Sequence, residues 1–524
     1  LCLRILNSKR SCHASTGIEV VDMKLCVFLL VVCLTCSFEF GVSFFSFGGK
    51  SKPSIPKTMN KKSSSKDYDI IVWGATGYTG QLVAEYLARN YGTTNPEFKW
   101  AIGGRSTEKL NALKETLSEI DPMAKDLPVV TGDSADAASM AALAARTEVV
   151  LTTVGPYQKY GNELVAACVE AGIKYCDLTG ETYWIQDNVE RHHEQAAATG
   201  ARIVHCCGFD SVPSEMGTLL LAEHMKRVHG GSLEEVANVL VDASGGVSGG
   251  TIASLLGQLD VLRGLSREEA ARRSGSYMLN PEGDRPEGAA GWDTGDGGFG
   301  YNRELGAWTA PFVMAAINAK VVRRSNALLG NYYGAPFRYG EFTGTGSGAS
   351  GLLSAAGATL ATGLVGPLLY FPATRGLLQR YLPQPGEGPT KEARDNGYFV
   401  FNLVGKGKTE AGAPVTLRAE VGSREGDGGY KETAKMLAES ALCLALADLP
   451  PRAGVLTPAS AMGLELVKRL NKANMFFSVT EDSLAPESII SKSLGSGLLG
   501  KKPNGAEEEE KAPSSDLIRG GEKK

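Results

Sequence analysis

The stretch 70-IIVWGATGYTG-80 decides the fold of this chain. Four apolar residues with strand-like character lead into three glycines spaced three apart, and a helical pattern follows. Glycines at the end of a first strand let the backbone turn sharply, and the N–H groups of the next helix can face a phosphate. The stretch predicts a pyrophosphate cradle made of Gly74, Thr76, Gly77, Tyr78, Thr79 and Gly80. A tight turn with close helix–sheet packing is the alternative that involves no ligand.

Strand-like and helical patterns alternate on both sides of this turn, from Tyr68 to Cys206. The predicted strands are 69–73, 98–102, 128–131, 148–153, 174–178 and 201–206. The predicted helices are 78–91, 107–120, 136–145, 161–171 and 184–199. Such alternation is typical of βαβ units and a parallel sheet. We therefore predict an α/β fold, with a Rossmann-type doubly wound parallel sheet over residues 67–206.

The second predicted strand ends in 101-AIGGRS-106, and this ending bears on which dinucleotide binds. An acidic residue at this position usually binds the ribose 2′-hydroxyl of NAD, whereas an arginine accommodates the 2′-phosphate of NADP. Arg105 occupies the position and Ser106 adds a hydroxyl, so the sequence favours NADP(H) over NAD(H). After the third strand, Asp133 is predicted either to contact the adenine or to cap the next helix.

Polar residues follow the fourth, fifth and sixth strands, whose carboxyl ends meet at one edge of the sheet. Gly155 and Pro156 are expected to frame the nicotinamide. The candidate proton donors are Tyr157, Lys159 and Tyr175, and the candidate substrate-lining residues are Asp177, Glu181, Asp210 and Ser211. No tyrosine is followed by lysine four residues later, so the proton relay of short-chain dehydrogenases is absent from the sequence.

Residues 207–475 predict a second, α+β domain with a mixed or antiparallel sheet. Strand-like runs lie at 236–242, 337–343, 397–405 and 415–422, and helical patterns at 430–448 and 459–472. Residues 342–374 contain no charged side chain. This segment predicts either a buried core helix or hairpin, or a hydrophobic hairpin that enters a membrane or lipid-droplet surface.

Residues 1–66 resemble a leader and linker, and residues 491–524 predict a disordered tail. A basic residue and an apolar core follow Met23, which favours a signal or an anchor and location at the endoplasmic reticulum or lipid droplets. The alternatives are a bipartite plastid import signal, or a cytoplasmic protein translated from Met59. The net charge of −4 gives no electrostatic case for nucleic-acid binding, and no His/Cys cluster has zinc-ligand spacing, so no metal site is predicted.

Six motifs in one order resemble the saccharopine dehydrogenase-like oxidoreductases, and most closely their trans-acting enoyl reductase branch. The motifs are GATGYTG, AIGGRS, TTVGPYQKYG, YCDLTGE, CGFDSVPSEMG and 428-GGYKETAKMLAESALCLALADLP-450, and the resemblance covers about residues 67–475. It implies an NADPH-dependent enzyme that reduces a C=C or C=O bond of a lipid or polyketide-type acyl substrate, near a membrane or lipid droplet. A homodimer is compatible with this assignment.

Two other functions stay open at this point. One is a non-catalytic, nucleotide-binding protein of lipid surfaces, since a fold does not fix a function. The other is a saccharopine reductase, which the glycine pattern and the uncharged segment disfavour.

Overall fold

The computed structural model describes residues 66–245, 249–273, 275–284, 298–378, 382–383 and 387–484. The predicted tail, and the predicted leader apart from Lys66, lie outside the described residues.

A first sheet of seven parallel strands forms the scaffold of the amino-terminal part. Its strands are β1 (Tyr68–Trp73), β2 (Trp100–Gly104), β3 (Val129–Thr131), β4 (Thr147–Thr152), β5 (Lys174–Cys176), β6 (Arg202–Val204) and β13 (Gly454–Leu456). Their order is β13-β6-β5-β4-β1-β2-β3. The chain thus leaves β1 toward β2 on one side and returns to β4 on the other. This reversal of direction opens a crevice at the carboxyl ends of β1 and β4.

Helices cover both faces of the first sheet because its strands are apolar on both sides. The helices are α1 (Tyr78–Tyr91), α2 (Thr107–Ser118), α3 (Ala137–Ala144), α4 (Tyr157–Tyr160), α5 (Asn162–Glu170) and α6 (Thr182–Thr199), and α7 (Val212–His229) leads out of β6. Ile70 and Val72 belong to the hydrophobic core on one face, and Ile71 and Trp73 to the core on the other. The predicted Rossmann-type sheet is confirmed, and all six of its predicted strands and α1 begin within two residues of their predicted starts.

A second, mixed sheet forms the other domain, as predicted. Its strands are β7 (Ser232–Ser244), β8 (Gly300–Asn302), β9 (Ala307–Pro311), β10 (Arg338–Gly346), β11 (Tyr398–Lys408), β12 (Pro414–Ser423) and β14 (Phe476–Asp482). Their order is β14-β12-β11-β7-β10-β9-β8. The β10–β7 pair is parallel and the other pairs are antiparallel.

The remaining helices are α8 (Gly249–Gly264), α9 (Arg267–Arg273), α10 (Ala315–Leu328), α11 (Gly348–Tyr370), α12 (Pro372–Leu378), α13 (Lys391–Asp395), α14 (Thr433–Leu446), α15 (Pro458–Met462) and α16 (Leu464–Lys472). Helix α14 is buried over most of its length and packs against α1, β4 and β5 of the first domain. Strand β13 then extends the first sheet, although the sequence analysis assigns its residues to the second domain, 207–475. The chain therefore returns to the first domain near its carboxyl end.

Helix α11 carries the uncharged segment, and it is the one described helix that is long and apolar enough to cross a membrane by length and composition. It is a single helix of 23 residues and not a hairpin. Only 12% of its most apolar window is buried inside the protein, so the expectation of a buried core helix is not met.

Candidate nucleotide and substrate site

The glycine turn after β1 is packed too closely to hold any side chain at two of its three positions. Gly74 has a φ of 85°, and a Cβ there would lie 2.6 Å from Cγ2 of Val154. A Cβ on Gly80 would lie 2.1 Å from the carbonyl oxygen of Gly74. Gly77 differs because it is exposed, with its N–H donating to the Gly74 carbonyl oxygen at 3.0 Å. The turn thus leaves open backbone on the side that a pyrophosphate would approach, and these residues fit a dinucleotide.

The start of α1 supports the same conclusion. Gly77 is the N-cap residue and supplies no capping side chain, so the N–H groups of the first turn are not capped by a side chain. Thr76 and Thr79 are half-buried beside this turn. The helix N-terminus therefore presents N–H groups without a side-chain cap, and the positive end of the helix dipole, at the crevice.

Tyr78, predicted as part of the cradle, is enclosed by the second domain. Its hydroxyl donates to the Pro389 carbonyl oxygen at 2.6 Å and accepts from Arg394 at 2.7 Å. The Tyr430 ring meets it edge-on, with 5.4 Å between the ring centroids. A Cβ on Gly388 would lie 2.4 Å from the Tyr78 ring, so only glycine fits there. Through these contacts the second domain packs directly against the glycine turn.

Arg105 and Ser106 follow β2 at the same edge of the sheet. Arg105 is exposed, and within the described ranges no ion pair or side-chain hydrogen bond holds its guanidinium. Ser106 is the N-cap of α2, where its hydroxyl accepts from the N–H of Lys109 at 3.3 Å. Arg105 can therefore reach a ribose 2′-phosphate without breaking a contact, whereas the Ser106 hydroxyl already has a structural partner.

Asp133 lies after β3 and is exposed. One carboxylate oxygen accepts from the N–H of Ala135 at 3.0 Å, which closes a local turn. Asp136 and not Asp133 caps the next helix, so that alternative is wrong, and contact of Asp133 with the adenine stays a prediction.

The loop after β4 contains a cis peptide bond between Gly155 and Pro156 and leads into α4. Tyr157 is 4% exposed, stacks on Trp184 and donates its hydroxyl to the Thr152 carbonyl oxygen at 3.3 Å. Burial raises the pKa of Tyr157 well above its usual value. Lys159 is exposed, with its ammonium 5.1 Å from the Tyr160 ring. Of these predicted proton donors, one is buried and bonded and the other faces solvent.

Glu181 holds the loop after β4 in place. Its two carboxylate oxygens accept from the N–H groups of Tyr157 at 2.9 Å and Gln158 at 2.8 Å, and one also accepts from the Ser254 hydroxyl at 2.8 Å. Burial raises the pKa of Glu181, while these hydrogen bonds oppose the rise. The predicted substrate-lining residue thus has three donors from the protein itself.

Tyr175 and Asp177 form a buried network beneath the crevice. The Tyr175 hydroxyl donates to Asp177 at 2.8 Å, and the same carboxylate oxygen contacts Nδ1 of His205 at 2.7 Å. Its other oxygen accepts from the N–H groups of Thr179 and Cys206. Both Tyr175 and Asp177 are 0% exposed, and burial raises the pKa of Tyr175 well above its usual value. The network ties the ends of β5 and β6 together.

Asp210 and Ser211 lie between β6 and α7. Asp210 is half-buried, and burial raises the pKa of its carboxyl to about 6. The Ser211 hydroxyl is buried and donates to Oδ1 of Asn318 at 3.0 Å. Asn318 in turn donates to Glu341 at 2.9 Å, so a buried polar chain from the second sheet holds this loop.

Helix α8 supplies a wall that sequence reasoning did not identify. Gln258 accepts from the N–H of Thr182 at 3.0 Å and donates to the Gly180 carbonyl oxygen at 3.1 Å. Gln258 and Ser254 are four residues apart, so they share the helix face that meets the loop after β5. Arg394, Tyr430 and His205 were also missed as site residues, because their partners are distant in sequence.

Three possible metal ligands lie together at the far end of α7. The Nε2 atoms of His224 and His229 lie 2.8 Å and 2.7 Å from the same carboxylate oxygen of Asp482. The three ligand atoms lie within 4.8 Å of one another, which the sequence did not indicate. The distances are those of hydrogen bonds, and the predicted absence of a metal stays a prediction.

Comparison with known proteins agrees with this geometry. Residues 70–204 match the family model described as the saccharopine dehydrogenase NADP binding domain. A trans-acting enoyl reductase of Mycobacterium tuberculosis (strain ATCC 25618 / H37Rv) is 39% identical over 428 residues, which cover 80% of this chain and 99% of that protein. The trans-acting enoyl reductase of Mycobacterium leprae is 37% identical over 433 residues, covering 79% and 98%.

Among solved structures, the apo saccharopine dehydrogenase (L-Glu forming) of Saccharomyces cerevisiae is similar at 11% identity with a TM-score of 0.40. The match covers 79% of this chain and all of that one.

Proposed function

Because this chain belongs to the saccharopine dehydrogenase-like family of the trans-acting enoyl reductases and is an NADP-dependent oxidoreductase, we propose that it reduces the C=C bond of a lipid-type enoyl substrate. The observation that carries the proposal is the glycine turn, where Gly74 and Gly80 admit no side chain while exposed Gly77 leaves the backbone open. NADPH, when bound, supplies the hydride. A saccharopine reductase is disfavoured because the relatives at 37% and 39% identity are named enoyl reductases.

The residues of the chain bind and orient the two reactants. The first turn of α1 and the cradle residues hold the pyrophosphate, and Arg105 neutralises the 2′-phosphate. Gly155 and Pro156 lie where the nicotinamide half reaches the crevice, and Glu181 fixes this loop through two backbone N–H groups. Helix α8 closes the opposite wall through Ser254 and Gln258.

Helix α11 supports a lipid surface as the partner. Leu353, Leu360 and Leu364 are 73%, 65% and 47% exposed, and their spacing of seven and four residues places them on one helix face. Tyr370 and Phe371 are also exposed at its end, as expected of aromatic residues at a membrane interface. At about 1.5 Å per residue the helix is about 35 Å long, enough to match a hydrocarbon core.

The apolar helix is also physically connected to the crevice. Helix α11 packs against α8, and Arg375 of α12 forms a bidentate ion pair with Asp260 of α8. Helix α8 contacts the loop after β5, because Ser254 donates to Glu181 and Gln258 donates to the Gly180 carbonyl oxygen. An acyl chain held at α11 would therefore meet the same helix that lines the site, and this connection supports a location on an endomembrane or lipid-droplet surface.

Turnover tests the reductase. The protein is incubated with NADPH and a long-chain trans-2-enoyl-CoA as the probe, and both NADPH oxidation and the saturated product are measured. Equal amounts of NADP⁺ and saturated acyl-CoA are expected, and Gly80→Ala should lose this activity because its added methyl group displaces the cradle. Binding of NADPH without oxidation by enoyl thioesters of any chain length would contradict the proposal and favour the non-catalytic alternative.

Vesicle flotation tests the lipid surface. The protein should float with phosphatidylcholine vesicles, and the double variant Leu353→Asp/Leu360→Asp should not, because a buried charge costs about 2.5–3.5 kcal/mol per residue in a bilayer. Val313→Asp is the matched control, since Val313 is 55% exposed but lies outside α11. Equal flotation of the double variant and the control would contradict the role of α11.

A further inference from the structure

Asp210 is placed at the meeting point of three elements around the crevice. It lies in the loop between β6 and α7, at the carboxyl end of the first sheet. Its Oδ2 atom is 3.5 Å from the position that a Cβ on Gly180 would take, in the loop after β5. Ile317 of α10 approaches the same point to 3.0 Å. Because Gly180 has no side chain, this position places no side-chain atom against the Asp210 carboxyl group.

The Asp210 carboxyl group is unusual because nothing in the described parts of the chain satisfies it. Neither a hydrogen-bond donor nor a cation contributes to its environment, and burial alone raises its pKa to about 6. Glu181 and Asp177, its neighbours at this edge of the sheet, accept three and four hydrogen bonds from the protein. A half-buried carboxyl group without a structural partner in a crevice is characteristic of a functional group.

The titratable groups that face Asp210 are Tyr157 of α4 and Cys206 at the end of β6. The negative charge of Asp210 helps to raise the pKa values of both, after the larger effect of their burial. Gly180 on the loop after β5 and Ile317 on α10 are uncharged. Neither Tyr157 nor Cys206 ionises near neutral pH, so Asp210 changes its protonation between pH 5 and pH 7 without a coupled change in either group.

We propose that Asp210 is the catalytic residue that donates the proton to the substrate in the enoyl reduction, an inference that rests on the proposed function. Hydride addition at the β-carbon of the enoyl thioester moves the C=C electron pair to the α-carbon. The O–H bond of the Asp210 carboxyl group then breaks and a C–H bond forms at that α-carbon. Enoyl thioester, NADPH and one proton thus give the saturated thioester and NADP⁺, and solvent returns the proton to the carboxylate.

The other predicted proton donors are placed less well for this step. The hydroxyl groups of Tyr157 and Tyr175 are buried and already donate to Thr152 and Asp177. Lys159 is exposed to solvent, where water competes for any proton it would transfer. The Asp210 carboxyl group is half-buried, and none of the described residues forms a hydrogen bond or ion pair with it.

The test compares wild type, Asp210→Asn and the control Asp448→Asn, which changes an exposed aspartate after α14. With NADPH and the trans-2-enoyl-CoA probe, kcat of wild type should fall as the pH rises above about 6, because only the protonated carboxyl donates. Asp210→Asn should lower kcat by about 100-fold or more, remove this pH dependence and leave the Kd for NADPH unchanged. Asp448→Asn should behave as wild type.

A second readout does not depend on turnover. The acid–base titration curve of wild type minus that of Asp210→Asn should show one group with a midpoint near pH 6. A midpoint near the ordinary aspartate value of about 4 would overturn the proposal whether or not the probe is a substrate. Equal kcat values and pH profiles for wild type and Asp210→Asn would overturn it too, whereas failure of wild type on all enoyl thioesters would refute the proposed function alone.

Discussion

The substitution Gly80→Ala measures directly how tightly the glycine turn is packed. The new Cβ would lie 2.1 Å from the Gly74 carbonyl oxygen, 2.8 Å from Oγ1 of Thr153 and 2.9 Å from Cα of Ala75. Ordinary contacts begin at 3.4 Å, so the overlap with Gly74 is 3.4 − 2.1 = 1.3 Å. Two of the three atoms are backbone and cannot rotate away. The turn or α1 must therefore shift as a unit.

The size of the effect follows from two opposed contributions. Overpacking costs about 1–3 kcal/mol, and backbone overlap of this size belongs at the upper end. Alanine in place of glycine stabilises α1 by about 1 kcal/mol, because alanine has the higher helix propensity. The free energy of unfolding should fall by about 2 kcal/mol, and the affinity for NADPH by about tenfold or more because the pyrophosphate cradle is displaced.

The matched control is Gly77→Ala, which separates binding from stability. Gly77 is exposed with φ −76° and ψ 166°, which alanine adopts freely, and its Cβ would lie 3.3 Å from the Gly74 carbonyl oxygen. The loss of stability should stay below about 1 kcal/mol, while the methyl group occupies the approach of the pyrophosphate and weakens NADPH binding.

Urea denaturation and NADPH fluorescence titration measure the two quantities for both variants. Wild-type stability and affinity in Gly80→Ala would refute the packing argument. Undiminished affinity in Gly77→Ala would show that the pyrophosphate lies elsewhere.

Two further predictions concern buried carboxyl groups. Glu439 of α14 accepts from Tyr86, Tyr91 and Arg469, so Glu439→Ala should lower the free energy of unfolding by about 3–5 kcal/mol. Glu465, whose side chain is 41% exposed, is the control, and Glu465→Ala should cost less than about 1 kcal/mol in the same denaturant titrations. Equal losses would contradict the hydrogen bonds of Glu439. Since the pKa of Asp210 rises from 3.8 to about 6 on folding, wild type should lose up to about 3 kcal/mol of stability relative to Asp210→Asn as the pH rises from 4 to 7. Urea titrations at several pH values measure this difference, and a difference that does not vary with pH would contradict the burial of that carboxyl group.

The first domain follows from local patterns, which is why the sequence predicts it well. Strand β1 and helix α1 are set by an apolar run, a glycine turn and amphipathic spacing, and α1 is observed at its predicted bounds of 78–91. The carboxyl ends of parallel strands must meet at one edge, so the positions of Arg105 and Asp210 near the crevice could also be inferred.

Elements whose stability comes from distant partners were not predicted. Helix α10 has buried arginines, and Arg324 donates to the carbonyl oxygen of Val455 at 2.7 Å, 131 residues away. Strand β13 is only three residues long and exists because β6 pairs with it. The hydrogen bonds of Glu181 could not be predicted either, because the N–H groups of Tyr157 and Gln158 that donate to it belong to another loop. The sequence around these residues does not indicate such distant partners.

The affinities of wild type and Arg105→Ala for NADPH and NADH test the central claim most directly. A hydrogen-bonded charge contributes about 1.5–3 kcal/mol, or about 10- to 100-fold in Kd. Fluorescence titration should show wild type binding NADPH at least tenfold more tightly than NADH. Arg105→Ala should abolish this preference without changing the affinity for NADH, and exposed Arg89→Ala should preserve both values. Equal affinity of wild type for the two nucleotides, or equal weakening of both by Arg105→Ala, would contradict the account.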